Sequence, residues 1–276
     1  MLEDVVTPTG PYRLRLMCRS GTWHGPLADG STATAWQRPD GLVVIRAETA
    51  DDLEHARFML ALDDDTAAFH HRFAGDALLG PTLRTLVGYR PLRLATVTHA
   101  ALRAMCGQLI EARRAAAIER AILRELGAAV ATRDGLARLG AAELRRFGLA
   151  TGRATTLVRL VRSLDLERLH GHDTEAVLRR LRRERGIGPW SVGVIALEGL
   201  GRYDHGLVGD LGLVKLLASL RGSWVEAGET AELLAPYEEW QGLAGVFLML
   251  GWSRGLIPGA DPDLGRRARL RSKRAA

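Results

Sequence analysis

The chain is poor in cysteine and in long apolar runs, and each shortage excludes a class of protein. Only two cysteines, Cys18 and Cys106, occur among its 276 residues. An iron–sulfur cluster held by four cysteines is therefore excluded, and two cysteines provide no metal-binding spacing. No segment offers the roughly 18 uninterrupted apolar residues that a membrane span needs. We therefore expect a cytoplasmic protein without membrane contact.

Positive charge is concentrated in the middle of the chain and at its end. The net charge is +6, yet residues 1–100 carry 10 basic and 12 acidic groups, and residues 187–265 carry 4 and 10. Residues 101–186 carry 18 basic and 10 acidic groups. This distribution favours one surface that meets a polyanion. Residues 265–276 are predicted to be a disordered basic tail, which is either simply solvated or a flexible arm that adds phosphate contacts.

The hydrophobic pattern changes from strand-like to helical near residue 90. Residues 12–16 alternate between polar and apolar, and residues 42–45 form a β-branched run after a turn signal, so both predict strands. Acidic residues in the first turn predict a helix from Ala50 onward. From Thr98 the apolar residues follow helical spacing, first at Leu102, Met105, Cys106, Leu109 and Ile110. The sequence therefore predicts an α+β N-terminal domain over residues 1–92 and a mainly α-helical region over residues 93–264.

Two glycines, Gly186 and Gly188, separate two of the predicted helices. Thr174 is predicted to be the N-cap of the first of these helices, whose outward face carries five arginines: Arg179, Arg180, Arg182, Arg183 and Arg185. Gly186 is predicted to end the first helix in the left-handed conformation, and Ile187 to anchor the turn in the core. Pro189 is suited to the first turn of the next helix.

This turn has the properties of a phosphate-binding site. The backbone N–H groups of Gly188, Trp190 and Ser191 are predicted to point out of a helix N-terminus, which attracts anions. A glycine leaves room for a phosphate where a β-carbon would obstruct it. The alternative is that the two glycines make only a tight connection between packed helices.

A lone aspartate, Asp210, follows 22 residues after Gly188 and directly precedes the apolar residues 211–217. The side chain either caps that helix or does chemistry beside the turn. The two roles are compatible, because a helix N-terminus favours an ionised carboxylate.

The hairpin of residues 186–197 and Asp210 together resemble the helix-hairpin-helix DNA glycosylases, and among them the bacterial 3-methyladenine DNA glycosylase II type. Upstream, residues 107–109 (Gly-Gln-Leu) resemble the segment that carries the DNA-wedging residue, and residues 148–154 resemble a stretch that lies between the two. The sequence departs from the family pattern at residues 184–185, where Glu-Arg replaces Leu-Pro, and at Gly209, which replaces a proline.

The resemblance implies a role for each matching residue. Asp210 would be catalytic, and Trp190, Val194 and Met249 would line the pocket for a flipped base. The residues that would bind DNA are Gln108, Leu109, Arg153, Gly186, Ile187, Gly188, Trp190 and Ser191. Two of these roles have alternatives, since Leu109 belongs to the apolar helical stripe and Trp190 also suits the core behind the hairpin.

The resemblance also implies the reaction and the partners. The expected enzyme flips alkylated bases of the 3-methyladenine class out of double-stranded DNA and hydrolyses their N-glycosidic bond. The lysine that strand-cutting relatives use is replaced by Trp190, so we expect no lyase activity. We expect a nucleoid-associated monomer without a required cofactor, in which the backbone carbonyls of Gly186 and Gly188 hold a structural sodium or potassium ion. The alternative is a lesion-binding helix-hairpin-helix protein with weak or lost catalysis.

Overall fold

The structure is a computed structural model that describes residues 1–108 and 110–261. The predictions for Leu109 and for the tail of residues 265–276 lie outside these described residues. The chain divides into two compact units. The first unit contains Met1–Asp65 and Gly88–Arg202, and the second contains Thr66–Val87 and the chain from Tyr203 onward. The division of the sequence at residue 92, and a cleft between helical subdomains, stay predictions.

Regular secondary structure begins with four strands and continues with helices. The strands are β1 (Leu2–Val6), β2 (Thr22–Pro26), β3 (Thr32–Gln37) and β4 (Val43–Ala47). The described α-helices are α1 (Ala50–Met59), α2 (Ala67–Phe73), α3 (Gly80–Thr85), α4 (Val97–Gly107), α5 (Ala112–Leu126), α6 (Arg133–Ala137), α7 (Ala141–Arg146), α8 (Thr151–Ser163), α9 (Thr174–Arg182), α10 (Pro189–Val194), α11 (Leu211–Arg221), α12 (Thr230–Leu234) and α13 (Gln241–Ser253). The short 3₁₀-helices are Leu14–Leu16, Leu166–Gly171, Ala227–Glu229 and Ala235–Trp240, and α10 continues as a π-helix, Ile195–Gly199.

The four strands of the first unit form an antiparallel sheet in the order β1-β4-β3-β2. Strand β4 confirms the strand predicted at residues 42–45. It pairs with β3 in a register that places Ala35 opposite Ile45, and both residues are buried. Helix α1 begins at Ala50 as predicted, because Thr49 and Asp52 cap it reciprocally. An α+β N-terminal region followed by helices is therefore observed.

The strand predicted at residues 12–16 is wrong. Leu14–Leu16 is a 3₁₀-helix, whose Leu14 is fully buried. The Leu14 carbonyl accepts hydrogen bonds from Met17 and Cys18, and the Leu14 N–H donates to the side chain of Gln37. The backbone of this segment thus bonds locally and to a side chain instead of to a neighbouring strand.

The helices of the first unit follow the predicted hydrophobic pattern. In α4 the residues Leu102, Met105 and Cys106 are buried as predicted, but the helix ends at Gly107. The prediction that Ile110 lies on the same helical stripe is therefore wrong, because Ile110 follows the helix and is half-buried in the segment before α5. Gly127 ends α5 in the left-handed conformation, with φ of +63°. Helix α9 differs from prediction by one residue, because its N-cap is Asp173, whose carboxylate accepts the Ala176 N–H at 2.8 Å.

A partly buried ionic cluster joins α4 to α5 and to the π-helix. The Arg103 guanidinium binds the carboxylates of Glu119 at 2.9 Å and Glu198 at 2.8 Å, and His99 lies 3.0 Å from Glu119. Burial by itself raises the pKa of Glu119, but hydrogen bonds from His99 and Arg103 outweigh burial and lower the pKa to about 2. The cluster fixes the position of α4, whose last residue adjoins Gln108.

The second unit has an aromatic core. Phe69 of α2 lies edge-on to Phe247 of α13, with ring centroids 5.5 Å apart, and Phe73 lies edge-on to Tyr237 at 5.2 Å. The Tyr237 hydroxyl donates to the carboxylate of Asp76 at 3.3 Å. Each of the described helices is too short or too polar to span a bilayer.

Candidate functional site

The turn between α9 and α10 has the predicted hairpin geometry. Gly186 has a φ of +92°, Ile187 is buried with 7% of its surface exposed, and Pro189 is the first residue of α10. Gly188 is the N-cap of α10 and, being a glycine, has no side chain with which to cap that helix.

Helix α8 supports the hairpin from behind. The hydroxyl of Thr156 donates to the carbonyl oxygen of Arg185 at 3.1 Å, and the guanidinium of Arg159 donates to the same oxygen. A β-carbon on Gly186 would lie 2.4 Å from the Thr156 Oγ1 atom. A glycine is therefore required at position 186 both by its positive φ and by the close approach of α8.

Glu184, which departs from the leucine of the family pattern, belongs to this support. Its carboxylate pairs with Arg180 at 2.6 Å and with Arg159 at 3.5 Å, and only 13% of the side chain is exposed. An ion pair thus holds the hairpin to α8 and α9 where a leucine would hold it by apolar packing. Four of the five predicted arginines are exposed, whereas Arg180 is half-buried in this ion pair. The exposed ones are Arg179, Arg182, Arg183 and Arg185.

Gln108 connects the loop after α4 to the hairpin. Its side-chain amide donates to the carbonyl oxygen of Gly186 at 3.1 Å and to the hydroxyl of Ser191 at 2.7 Å. The neighbouring Gly107 packs against Trp190, since a β-carbon on Gly107 would lie 2.5 Å from the indole ring. The structure thus brings together four of the predicted DNA-binding residues: Gln108, Gly186, Trp190 and Ser191.

The other predicted residues of the first unit differ in exposure. Trp190 is half-buried, whereas Val194 is only 4% exposed, so Val194 offers little surface to a substrate. Arg153 lies in the first turn of α8 and is half-buried. Burial lowers the pKa of Arg153, and the charge of Arg114 adds to that effect.

The predicted cation ligands each accept one hydrogen bond. The Gly186 carbonyl accepts the Gln108 amide, and the Gly188 carbonyl accepts the Val192 N–H. Since a backbone carbonyl has two lone pairs, a structural sodium or potassium ion at these oxygens stays a prediction.

Asp210, in the second unit, ends a tight turn and caps α11. The Asp210 N–H donates to the carbonyl oxygen of Leu207 at 3.0 Å, and one carboxylate oxygen accepts the Gly212 N–H at 2.7 Å. The side chain is half-buried. The predicted helix cap is therefore confirmed, with the carboxylate at the positive end of a helix of 11 residues.

Met249 lies beside the same carboxylate. A β-carbon on Gly212 would lie 3.0 Å from the Asp210 Oδ1 atom and 3.2 Å from the Met249 Sδ atom. The structure therefore brings two of the predicted site residues, Asp210 and Met249, to one glycine at the start of α11.

The glycine that replaces the family's proline has a definite structural role. Gly209 has a φ of +87°, which proline cannot adopt. Its N–H, which proline lacks, donates to the hydroxyl of Thr230 at 2.7 Å. Sequence reasoning missed Thr230, as it missed Thr156 and Arg159, because no local pattern connects these residues to the site.

This chain is similar to known proteins in its fold. The sequence matches no protein-family model and no curated protein. Its fold is similar to that of a 3-methyladenine DNA-glycosylase from Archaeoglobus fulgidus, with a TM-score of 0.78 and 18% identity over 91% of this chain and 98% of that one.

Two further solved structures are similar. One is an 8-oxoguanine glycosylase/lyase from Clostridium acetobutylicum in complex with double-stranded DNA, with a TM-score of 0.69 and 15% identity over 93% of this chain and 99% of that one. The other is a 3-methyladenine DNA glycosylase from Schizosaccharomyces pombe in complex with abasic DNA, with a TM-score of 0.54 and 17% identity over 65% and 92% of the two chains. The chain therefore has the fold of these DNA glycosylases.

Proposed function

We propose that this protein is a DNA glycosylase that excises alkylated bases of the 3-methyladenine class from double-stranded DNA by hydrolysis. The observation that carries the proposal is Asp210, a carboxylate at a helix N-terminus in a chain with a DNA glycosylase fold. The helix-hairpin-helix superfamily resemblance of the sequence agrees with this fold.

Asp210 would act on the sugar. Cleavage of an N-glycosidic bond develops positive charge on the deoxyribose, as in other glycosyl transfers. The Asp210 carboxylate lies at the N-terminus of α11 and accepts the Gly212 N–H, so it is held in place to stabilise the positive charge of that transition state. The same carboxylate can orient the attacking water or accept its proton. Alkylated purines leave as neutral bases, so the reaction needs no strong acid at the base.

The hairpin would hold the DNA. Its phosphate contacts would come from the backbone N–H groups at the start of α10, after the N-cap Gly188, and from exposed arginines at the end of α9. Ile187 and Gly186 shape that turn, and Arg153 would add a contact from α8.

Recognition of the damaged base would depend on Trp190. Its half-buried indole ring offers a face for the flipped base, and a ring is attracted to a cationic purine. Met249 would line the pocket beside Asp210, and Val194 would contribute only a small surface. Leu109, with Gln108 next to it, would fill the gap that the flipped base leaves in the duplex.

We propose that the enzyme lacks lyase activity. Strand cleavage by related enzymes uses a lysine where this chain has Trp190, and the chain's two lysines are Lys215 and Lys273. Lys215 lies in the second turn of α11 and follows Asp210 by five residues. We also propose that the protein is a cytoplasmic, nucleoid-associated monomer and that it needs no cofactor.

A second candidate is a lesion-binding protein with weak or lost catalysis. The observation that favours it is that only Trp190 is aromatic among the three residues predicted to line the base pocket, and that Val194 is buried. Such a protein would bind damaged duplex without releasing a base.

One experiment tests the proposal against this alternative. Purified protein is incubated with duplexes that contain 3-methyladenine, 7-methylguanine, hypoxanthine or 8-oxoguanine, and both free bases and strand breaks are measured. The proposal expects release of 3-methyladenine with no strand break before alkali is added. Tight binding without release of any base would favour the lesion-binding protein, and breaks that disappear in Lys215→Ala would overturn the absence of lyase activity.

A further inference from the structure

The turn that presents Asp210 depends on a residue from another helix. Leu207, Val208, Gly209 and Asp210 form a β-turn, closed by the hydrogen bond from the Asp210 N–H to the Leu207 carbonyl. Gly209 is its third residue and has a φ of +87°, whereas Val208 has a negative φ. This combination defines a type II turn, in which the third residue favours glycine.

The hydroxyl of Thr230 satisfies the outward N–H of this turn. Thr230 is fully buried at the start of α12, and its Oγ1 atom lies 2.7 Å from the Gly209 nitrogen. The hydroxyl proton is donated to the Ala227 carbonyl, also at 2.7 Å. With its proton committed to Ala227, the hydroxyl oxygen presents lone pairs to Gly209, and the two hydrogen bonds reinforce each other.

We infer that Thr230 is a positioning residue for Asp210, an inference that rests on the proposed function. Thr230 orients the Val208–Gly209 peptide unit, the central one of the turn, and through the conformation of Gly209 sets the direction in which the Asp210 carboxylate leaves the backbone. A proline at position 209 would remove the N–H that Thr230 binds. Gly209 and Thr230 therefore act together. The hydrogen bond between them restrains the backbone of the turn, which a proline would restrain through its ring.

Two substitutions disturb this turn in different ways. Thr230→Val keeps the shape of the side chain and removes the hydroxyl, which leaves the Gly209 N–H without its acceptor. Gly209→Ala keeps the N–H and strains the turn, since a β-carbon there meets only Ala227 at 3.7 Å and φ alone opposes it. Both variants should lower the single-turnover rate of base release by about ten- to a hundredfold, as a small misplacement of a reacting group does.

Three matched variants keep Asp210 in place. Thr230→Ser retains the hydroxyl and should restore the wild-type rate. Gly222→Ala strains the other end of α11, where Gly222 has a φ of +67° and open space around it. Glu232→Gln removes a surface ion pair with Arg221 close to Thr230 in sequence. The last two variants change stability without touching the turn, so their rates should equal that of the wild type.

The experiment measures the single-turnover rate and, separately, the affinity for an abasic duplex. A lower rate for Thr230→Val and Gly209→Ala at unchanged affinity is the expected result. A Thr230→Val rate equal to that of Thr230→Ser, or a Gly222→Ala rate as low as that of Gly209→Ala, would overturn the positioning role and leave the proposed function standing. If the wild type releases no base at all, the proposed function and this inference both fall.

Discussion

The side-chain amide of Gln108 lies 3.1 Å from the carbonyl oxygen of Gly186, across 78 residues of sequence. A second hydrogen bond, to the hydroxyl of Ser191, fixes the same amide at 2.7 Å. The segment that resembles the DNA wedge is therefore tied to the turn that would grip the phosphate backbone. Binding of the phosphates and insertion of the wedge would act as one event.

The two hydrogen bonds of the Gln108 side chain predict that their removal lowers the affinity for DNA. Gln108→Met keeps the length of the side chain but removes both hydrogen bonds, each worth about 1 kcal/mol. We expect affinity for an abasic duplex to fall about tenfold, measured by fluorescence anisotropy, and the melting temperature to fall by a few degrees because the folded protein loses both bonds. An unchanged affinity would mean that these bonds break on DNA binding and contribute nothing to the complex.

The contact between Gly107 and Trp190 predicts that one methyl group disturbs the base pocket. In Gly107→Ala the new β-carbon would lie 2.5 Å from the indole ring, so the ring must move. If Trp190 stacks on the flipped base, its displacement should lower the rate of base release by about ten- to a hundredfold, the equivalent of about 1–3 kcal/mol of stacking. Gly152→Ala is the control, because Gly152 lies in α8 with open space around it. Equal rates for the two variants would contradict stacking by Trp190.

The partly buried cluster of Arg103 and Glu119 predicts a pH-dependent stability. The pKa of Glu119 is lowered in the folded protein to about 2, below its ordinary value of about 4.3. A lowered pKa contributes stability that is present above pH ~4.3 and is lost as the pH falls toward 2.

Glu119→Gln should therefore destabilise the protein by roughly 2–3 kcal/mol at pH 7, and the difference from the wild type should shrink between pH 5 and pH 3. Urea unfolding at each pH measures it. A difference that stays constant over this range would show that Glu119 contributes through packing and not through its charge.

The exposed arginines of α9 predict salt-dependent binding. Arg182→Ala and Arg183→Ala should each reduce the slope of log affinity against log salt concentration by about 1, because one phosphate contact is lost. Arg38→Ala is the control, since Arg38 lies in the β3–β4 turn, where it pairs with Asp40. If all three variants give the wild-type slope, α9 is not the surface that meets the DNA.

The sequence was informative where the chemistry is local. Glycine at a left-handed position, proline in a first helical turn and an aspartate before an apolar helix each depend on neighbours within a few residues, so Gly186, Pro189 and the Asp210 cap were predictable. Residues 12–16 were mispredicted because five alternating residues do not distinguish a strand from an irregular segment with one buried leucine. Strands β1 to β3 were not predicted at all.

The missing parts of the site are tertiary contacts. The hydrogen bond of Gln108 to Gly186, and that of Thr156 to Arg185, link segments that only the fold brings together. Glu184 looked like a defect in the family pattern because its two arginine partners come from α8 and α9. A departure from a motif could be interpreted only once its new partner was known.

The central claim is that Asp210 cleaves an N-glycosidic bond, and one comparison tests it most directly. Free bases released from methylated duplex DNA are measured for the wild type and for Asp210→Asn, which retains a side-chain oxygen for the Gly212 N–H. We predict that the wild type releases 3-methyladenine and that the variant, while binding an abasic duplex equally well, releases none. Release by Asp210→Asn at the wild-type rate would contradict the account.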